Sequence, residues 1–119
     1  MPDPQLPVVR GTLDLLVLRA LSWGPMHGFE ITTWLEGRSG GALGIQDSAL
    51  YQALHRLEAR GLAAAEWGVT ENNRRARYYR LTVAGQAHLR AETSHWLEYA
   101  ETVTQILTVA TRPSPRAAT

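Results

Sequence analysis

The hydrophobic period of this chain changes twice, at Gly61 and at Thr82, and those two changes decide what it can fold into. Before Gly61 the apolar residues recur at helical spacing. Leu13, Leu16, Val17, Ala20 and Leu21 form the i, i+3, i+4, i+7, i+8 stripe of an amphipathic helix, with Thr12 as its expected N-cap and Gly24-Pro25 as its stop. A second helix is expected from about Met26 to Arg38, with Phe29, Ile31, Trp34 and Leu35 as its apolar residues and Ser39-Gly40-Gly41 as the turn that ends it. A third has Asp47 or Ser48 as its cap and a buried stripe of Leu50, Ala53, Leu54 and Leu57; Gly61 supplies the left-handed position that ends it at about Arg60.

Past Gly61 the pattern alternates. Leu62 to Val69 and Arg77 to Thr82 read as two strands around the polar turn Thr70-Glu71-Asn72-Asn73. After Thr82, a helix cap, the helical period returns and runs to about Ala110. Leu89, Trp96, Ala100, Val103, Leu107 and Ala110 then follow at intervals of 7, 4, 3, 4 and 3, with Thr93 as the polar member of a heptad seam. Three helices, a two-stranded hairpin and a long helix make a mainly α fold with one small antiparallel hairpin: a winged helix-turn-helix with a C-terminal helix. The expected organisation is a flexible arm over 1–10, the winged domain over 11–82, a dimerisation helix over 83–110 and a disordered tail over 111–119. Trp23, Trp34 and Trp67 are expected in the core, and His27 as a cap of the second helix.

Composition narrows the function. There are no cysteines, which excludes disulfides, thiolate metal sites and cysteine nucleophiles. No stretch approaches the ~20 apolar residues of a membrane span, and MPDPQLPVVRG lacks the basic flank and apolar run of a secretory signal, so a cytoplasmic location is expected. The net charge is only +1, yet all 12 basic residues are arginine, the side chain suited to bidentate contact with phosphate and guanine. A high-GC genome would favour arginine as well. His27, His55, His88 and His95 are scattered without a third ligand or an acidic partner at motif spacing, so neither a metal, a cofactor nor a catalytic constellation is expected.

The polar side chains fall where such a fold would meet duplex DNA. Ser48, Tyr51, Gln52, His55 and Arg56 share the third-helix face opposite the leucines. Gln52 can pair with adenine, Arg56 with guanine or phosphate, and His55 with either, while Ser48 and Tyr51 bring hydroxyls to the backbone. Asn73, Arg74, Arg75 and Arg77 gather positive charge at the hairpin tip, with Arg80 behind. On the last helix the seam of Leu89, Trp96, Ala100, Val103 and Leu107 is the expected contact with a second copy. Trp96 with Tyr99 is a candidate stacking site for a flat ligand. A winged helix can also serve as a protein adaptor without touching DNA.

Three stretches carry a family resemblance: Gly24-Pro25-Met26-His27-Gly28-Phe29-Glu30-Ile31, Ser48-Ala49-Leu50-Tyr51-Gln52-Ala53-Leu54-His55-Arg56-Leu57-Glu58 and Arg74-Arg75-Ala76-Arg77-Tyr78-Tyr79-Arg80-Leu81-Thr82. In this order, over about residues 11–90, they resemble the signature stretches of the PadR family of transcriptional regulators, in its smaller subclass with a single C-terminal helix. The resemblance implies a homodimeric repressor on a palindromic operator, sometimes released by a small ligand. It implies that Tyr51 is placed on a DNA phosphate and that Arg77 stands in for a wing lysine. Ser48 stands where the family commonly has glycine and Gln52 where it commonly has proline, so the operator sequence does not carry over from relatives.

Overall fold

The computed structural model describes residues 6–7 and 11–112 of the chain. Its elements run β1 (Leu6–Pro7), α1 (Thr12–Leu21), β2 (Met26–His27), α2 (Gly28–Arg38), β3 (Leu43–Gly44), α3 (Asp47–Ala59), β4 (Ala63–Val69), β5 (Arg75–Leu81) and α4 (Val83–Leu107). β1 pairs parallel with β3; β5 lies between β2 and β4 in an antiparallel three-stranded sheet. The expected three-helix, hairpin, long-helix order is present, with two short strand pairs added.

α1 is the centre of the core. Leu13, Val17, Leu18, Ala20 and Leu21 are buried against Ile31 and Leu35 of α2, Leu50, Ala53, Leu54 and Leu57 of α3, and Tyr79 of β5. The α3 stripe read from periodicity packs whole; on α1 the stripe packs except that Leu16 is half-buried while Leu18, outside the expected stripe, is fully buried. Gly11, not Thr12, is the α1 N-cap: it takes φ 88°, a left-handed geometry open to glycine, and Thr12 becomes the first helical residue. Neither Asp47 nor Ser48 caps α3. Gln46 holds the cap position without a side-chain bond, and Asp47 lies in the first turn, where the helix dipole favours its charge. Gly61 follows the C-cap Arg60 with φ 72°, as expected.

The second helix begins two residues later than its apolar pattern suggests. Met26 and His27 pair with Tyr79 and Tyr78 of β5, so their backbone groups join a sheet. His27 then caps α2 as expected: its Nδ1 accepts from the Glu30 N–H at 3.3 Å, while its own N–H donates to Glu30 Oε1 at 3.2 Å. Three aromatic residues are more exposed than the sequence implies. Phe29 is 76% exposed, because Gly28, Ile31 and Leu35 define the buried face of α2 and Phe29 lies about 100° round the helix from Gly28. Trp23, in the turn after α1, is 64% exposed and tilts against half-buried Trp34, with the Arg19 guanidinium 5.0 Å from its ring centre. Trp67 is 60% exposed on the hairpin.

The hairpin pairs Ala63 with Leu81 through to Val69 with Arg75, so β5 starts two residues earlier than the apolar alternation indicates. Its turn closes on Thr70, whose N–H donates to the Arg74 carbonyl at 2.8 Å and whose carbonyl accepts from the Asn73 N–H at 2.9 Å, with Asn73 at φ 59°. Thr82 joins the hairpin to α4. Its hydroxyl donates to the Gly61 carbonyl at 2.7 Å and accepts from the Gly85 N–H at 3.0 Å, the expected cap. Gly85 is pressed so closely on Leu62, the residue before β4, that an added Cβ would lie 2.0 Å from its carbonyl oxygen.

α4 ends at Leu107, three residues short of Ala110, and Thr108 turns its hydroxyl back to the Thr104 carbonyl. Leu89, expected on the seam, belongs to the domain's own core at 8% exposure, because the first turns of α4 pack on α1 and β5. Beyond the turns packed on the domain, Trp96, Leu97, Tyr99, Ile106 and Leu107 of α4 are all exposed, beside half-buried Ala100 and Val103. Of the expected flexible arm over 1–10, Leu6–Pro7 forms the β1 pair and the rest lies outside the described residues. So do residues 113–119 of the expected disordered tail.

Candidate nucleic-acid interface

The buried stripe of α3 fixes which residues face outward. With Leu50, Ala53, Leu54 and Leu57 inside, Ser48, Tyr51, Gln52, His55 and Arg56 are all exposed on one side of the helix. Tyr51, Gln52, His55 and Arg56 surround a shallow hollow of about 460 Å³. Tyr51 is held by an approach that only glycine permits. A Cβ on Gly28 would meet the Tyr51 hydroxyl oxygen at 2.8 Å and Cζ at 3.1 Å, so the phenol ring lies against the first residue of α2.

The hairpin forms the other wall. Between it, α3 and the start of α2 runs an open groove of about 1010 Å³. Strand register sets what faces it. Trp67, Val69, Arg75 and Arg77 share the sheet face on which Ala63 and Tyr79 are buried nearer the core. The groove thus unites Tyr51 with the wing arginines Arg74, Arg75 and Arg77, and adds Phe29 and Trp67. Asn73 is exposed at the tip beside it. The sequence places Trp67 in the core and Phe29 only among the apolar residues of the second helix. The missed signal was the alternation itself, which carries the buried sheet face of Ala63 and Ala65 outward to Trp67 and Val69.

Two of the expected DNA-contacting arginines hold carboxylates within the chain. Arg56 makes a forked pair with Asp14 of α1, Nη2 to Oδ1 at 2.6 Å and Nε to Oδ2 at 3.1 Å. The hydrogen bond to Asp14 raises the Arg56 pKa above its ordinary value, against a smaller opposing effect of desolvation. Arg77 Nη2 lies 2.7 Å from Oε2 of Glu58 on α3. Arg75 instead stacks on Trp67, its guanidinium carbon 4.3 Å from the ring centre. The partners Asp14 and Glu58 carry no sequence motif, and their roles appear only when the elements are packed together.

A second cavity of about 480 Å³ lies between the start of α1 and the middle of α4, where Asp14, Leu15, His88, Glu92, Trp96 and Tyr99 line it. His95 Nδ1 is 3.9 Å from Glu92 there. Among the described residues no cluster of histidine, aspartate and glutamate could hold a metal ion, and no helix is long and apolar enough to cross a membrane.

A helix with an exposed polar face beside a basic hairpin is the arrangement of the winged helix-turn-helix class. Residues 17–91 match the transcriptional regulator PadR-like family, and the chain belongs to it. A PadR family transcriptional regulator from Eggerthella lenta is 32% identical and superposes with a TM-score of 0.71 over 84% of this chain and 85% of its own. A curated relative from Lysinibacillus sphaericus, named only as protein X, is 29% identical over 96 residues, 81% of this chain and 88% of that protein. Bacillus subtilis PadR, solved with operator DNA, shares the fold at a TM-score of 0.61 and 21% identity, over 87% of this chain and 50% of its own.

Proposed function

We propose that this regulator is a cytoplasmic homodimeric repressor that binds a palindromic operator, and that a small ligand can relieve it. The observation that carries the DNA-binding part is the groove, where a solvent-facing reading helix and three arginines of one hairpin converge on a concave surface. The operator complex of Bacillus subtilis PadR lends support through the shared fold. Gln52 and His55 read base edges in the major groove, and the Ser48 hydroxyl meets the backbone beside them. Tyr51 and the wing residues Asn73, Arg74 and Arg75 hold the sugar-phosphate backbone, and Arg77 joins them only to the extent that it leaves Glu58. Arg56 contributes only to the extent that it leaves Asp14.

Dimer formation is supported by α4. Trp96, Leu97, Tyr99, Ile106 and Leu107 leave an apolar stretch in water that a second α4 would cover, with Ala100 and Val103 allowing close approach. Covering it would enclose the cavity beside Trp96 and Tyr99, where a planar ligand could stack. A gel shift with DNA from immediately upstream of the gene, at about 100 mM salt, tests the reading. Sequence-preferring retardation at dimer stoichiometry is expected, and absence of any preference over mixed-sequence DNA would refute it.

A further inference from the structure

Two arginines of β5, Arg75 and Arg77, share the groove-facing side of the wing; each lies over an aromatic ring, Arg77 at 5.7 Å from the Tyr79 ring centre, but only Arg77 is also paired with a carboxylate. Arg77 is opposite Trp67 in the strand register and Arg75 is opposite Val69, so Trp67 and Arg75 are diagonal neighbours on one face. Arg75 lies over the Trp67 indole at 4.3 Å, and among the described residues neither it nor Trp67 has a carboxylate partner. A cation–π contact occupies no hydrogen-bond acceptor, and no hydrogen bond or ion pair engages the Arg75 guanidinium among the described residues. Arg75 is therefore held in place with its donors free. Arg77 instead donates to Glu58 of α3 at 2.7 Å, so its charge is already paired within the protein.

We propose, on the reading that the groove takes duplex DNA, that the wing divides its charge between two roles. Arg75, positioned by Trp67, is the standing phosphate contact, and Glu58 withholds Arg77 from the backbone. Trp67 is a positioning residue in this scheme and Glu58 a brake on sequence-independent affinity. A repressor that must leave the bulk of the genome for one operator gains from such a brake, because phosphate contacts favour all sequences alike.

Fluorescence anisotropy with a labelled mixed-sequence duplex, between about 50 and about 200 mM salt, reads each phosphate contact as about 0.9 in the log–log salt slope, or roughly 3.5-fold in affinity across that range. Arg75→Ala should lose one such contact and Arg77→Ala none. Trp67→Leu should lose as much as Arg75→Ala, with no further loss in the double variant, and Trp67→Phe should retain most of the affinity because a ring remains under Arg75. Glu58→Gln should steepen the slope by about 0.9, and Arg77→Ala in that background should remove the gain. Thermal melts by circular dichroism verify that each variant is folded. Equal losses from Arg75→Ala and Arg77→Ala with no gain from Glu58→Gln, or independent losses from Trp67→Leu and Arg75→Ala, would overturn the division of roles alone. Wild-type protein that binds no duplex would overturn it together with the proposed function.

Discussion

Replacing Gly28 with alanine should separate stability from DNA binding. The new Cβ would sit 2.8 Å from the Tyr51 hydroxyl oxygen and 3.1 Å from Cζ, both closer than ordinary contact. What it meets is the far end of a side chain that is 54% exposed, so the ring can swing into solvent without moving either helix. Alanine is also the better helix former at this first position of α2, and the folding free energy should change by no more than about 1 kcal/mol. The displaced phenol, however, leaves the place from which it would meet a phosphate. A hydrogen bond from a neutral donor to a charged acceptor is worth about 1.5–3 kcal/mol, so affinity should fall roughly 10- to 150-fold. Thermal melting and anisotropy titration on one preparation give both quantities. Tyr51→Phe should lose a similar amount, and Gly28→Ala with Tyr51→Phe should lose little more than either alone. An unchanged affinity in Gly28→Ala would refute the placing of Tyr51 on the backbone. A collapse in stability would refute the claim that only the ring must give way.

Other perturbations test different levels. Gln52→Ala should change preference at one operator base pair by about 1–3 kcal/mol in a binding selection, and an unaltered selection would remove Gln52 from the reading set. Gly85→Ala should destabilise the domain by about 1–3 kcal/mol in denaturant unfolding, because the Cβ would meet the Leu62 carbonyl oxygen at 2.0 Å and that backbone cannot step aside. Burial raises the Tyr79 pKa, aided by the negative charge of Glu58 and opposed by Arg77. A raised folded-state value means that this contribution to stability is complete below the ordinary tyrosine range, about pH 10, and is lost as pH climbs through the folded value. Tyr79→Phe should therefore flatten the loss of stability in alkaline solution, and an unchanged alkaline profile would count against it.

What could be read from the sequence was whatever depends on period. The leucine stripes of α1 and α3, the Gly61 stop, the Thr82 cap and the His27 cap all depend on neighbours within a few residues, and all stand in the structure. What could not be read depends on pairing across long separations. Met26 and His27 look like the start of a helix until β5, some fifty residues later, claims them as a strand. Trp67 looks like core because it is large and lies in an alternating run, yet the run extends past the end of the domain beneath it. Leu89 fits a heptad, but the same side chain also faces α1. Arg56 and Arg77 were legible as charges, and the carboxylates that hold them were not, since Asp14 lies 42 residues from Arg56 and Glu58 lies 19 from Arg77.

The junction at Gly85 joins stability to the geometry of DNA binding. α4 is 25 residues long, a lever of roughly 37 Å at 1.5 Å per residue. Its direction is set at the base by the two hydrogen bonds of Thr82 and by the contact of Gly85 with Leu62. Relieving a 2.0 Å contact to a tolerable distance takes at least about 1 Å. Taken up over one turn of about 5.4 Å, that is a tilt near 10°, which displaces the far end by about 7 Å. In the proposed dimer the two reading helices must stand about 34 Å apart to meet successive major grooves on one face of the duplex. A change of that size cannot be absorbed by side chains. Gly85→Ala protein that remains folded should therefore lose affinity for a palindromic duplex while keeping its affinity for a single half-site. Equal loss on both duplexes would mean that α4 does not set the spacing, and no loss on either would mean that the junction is soft.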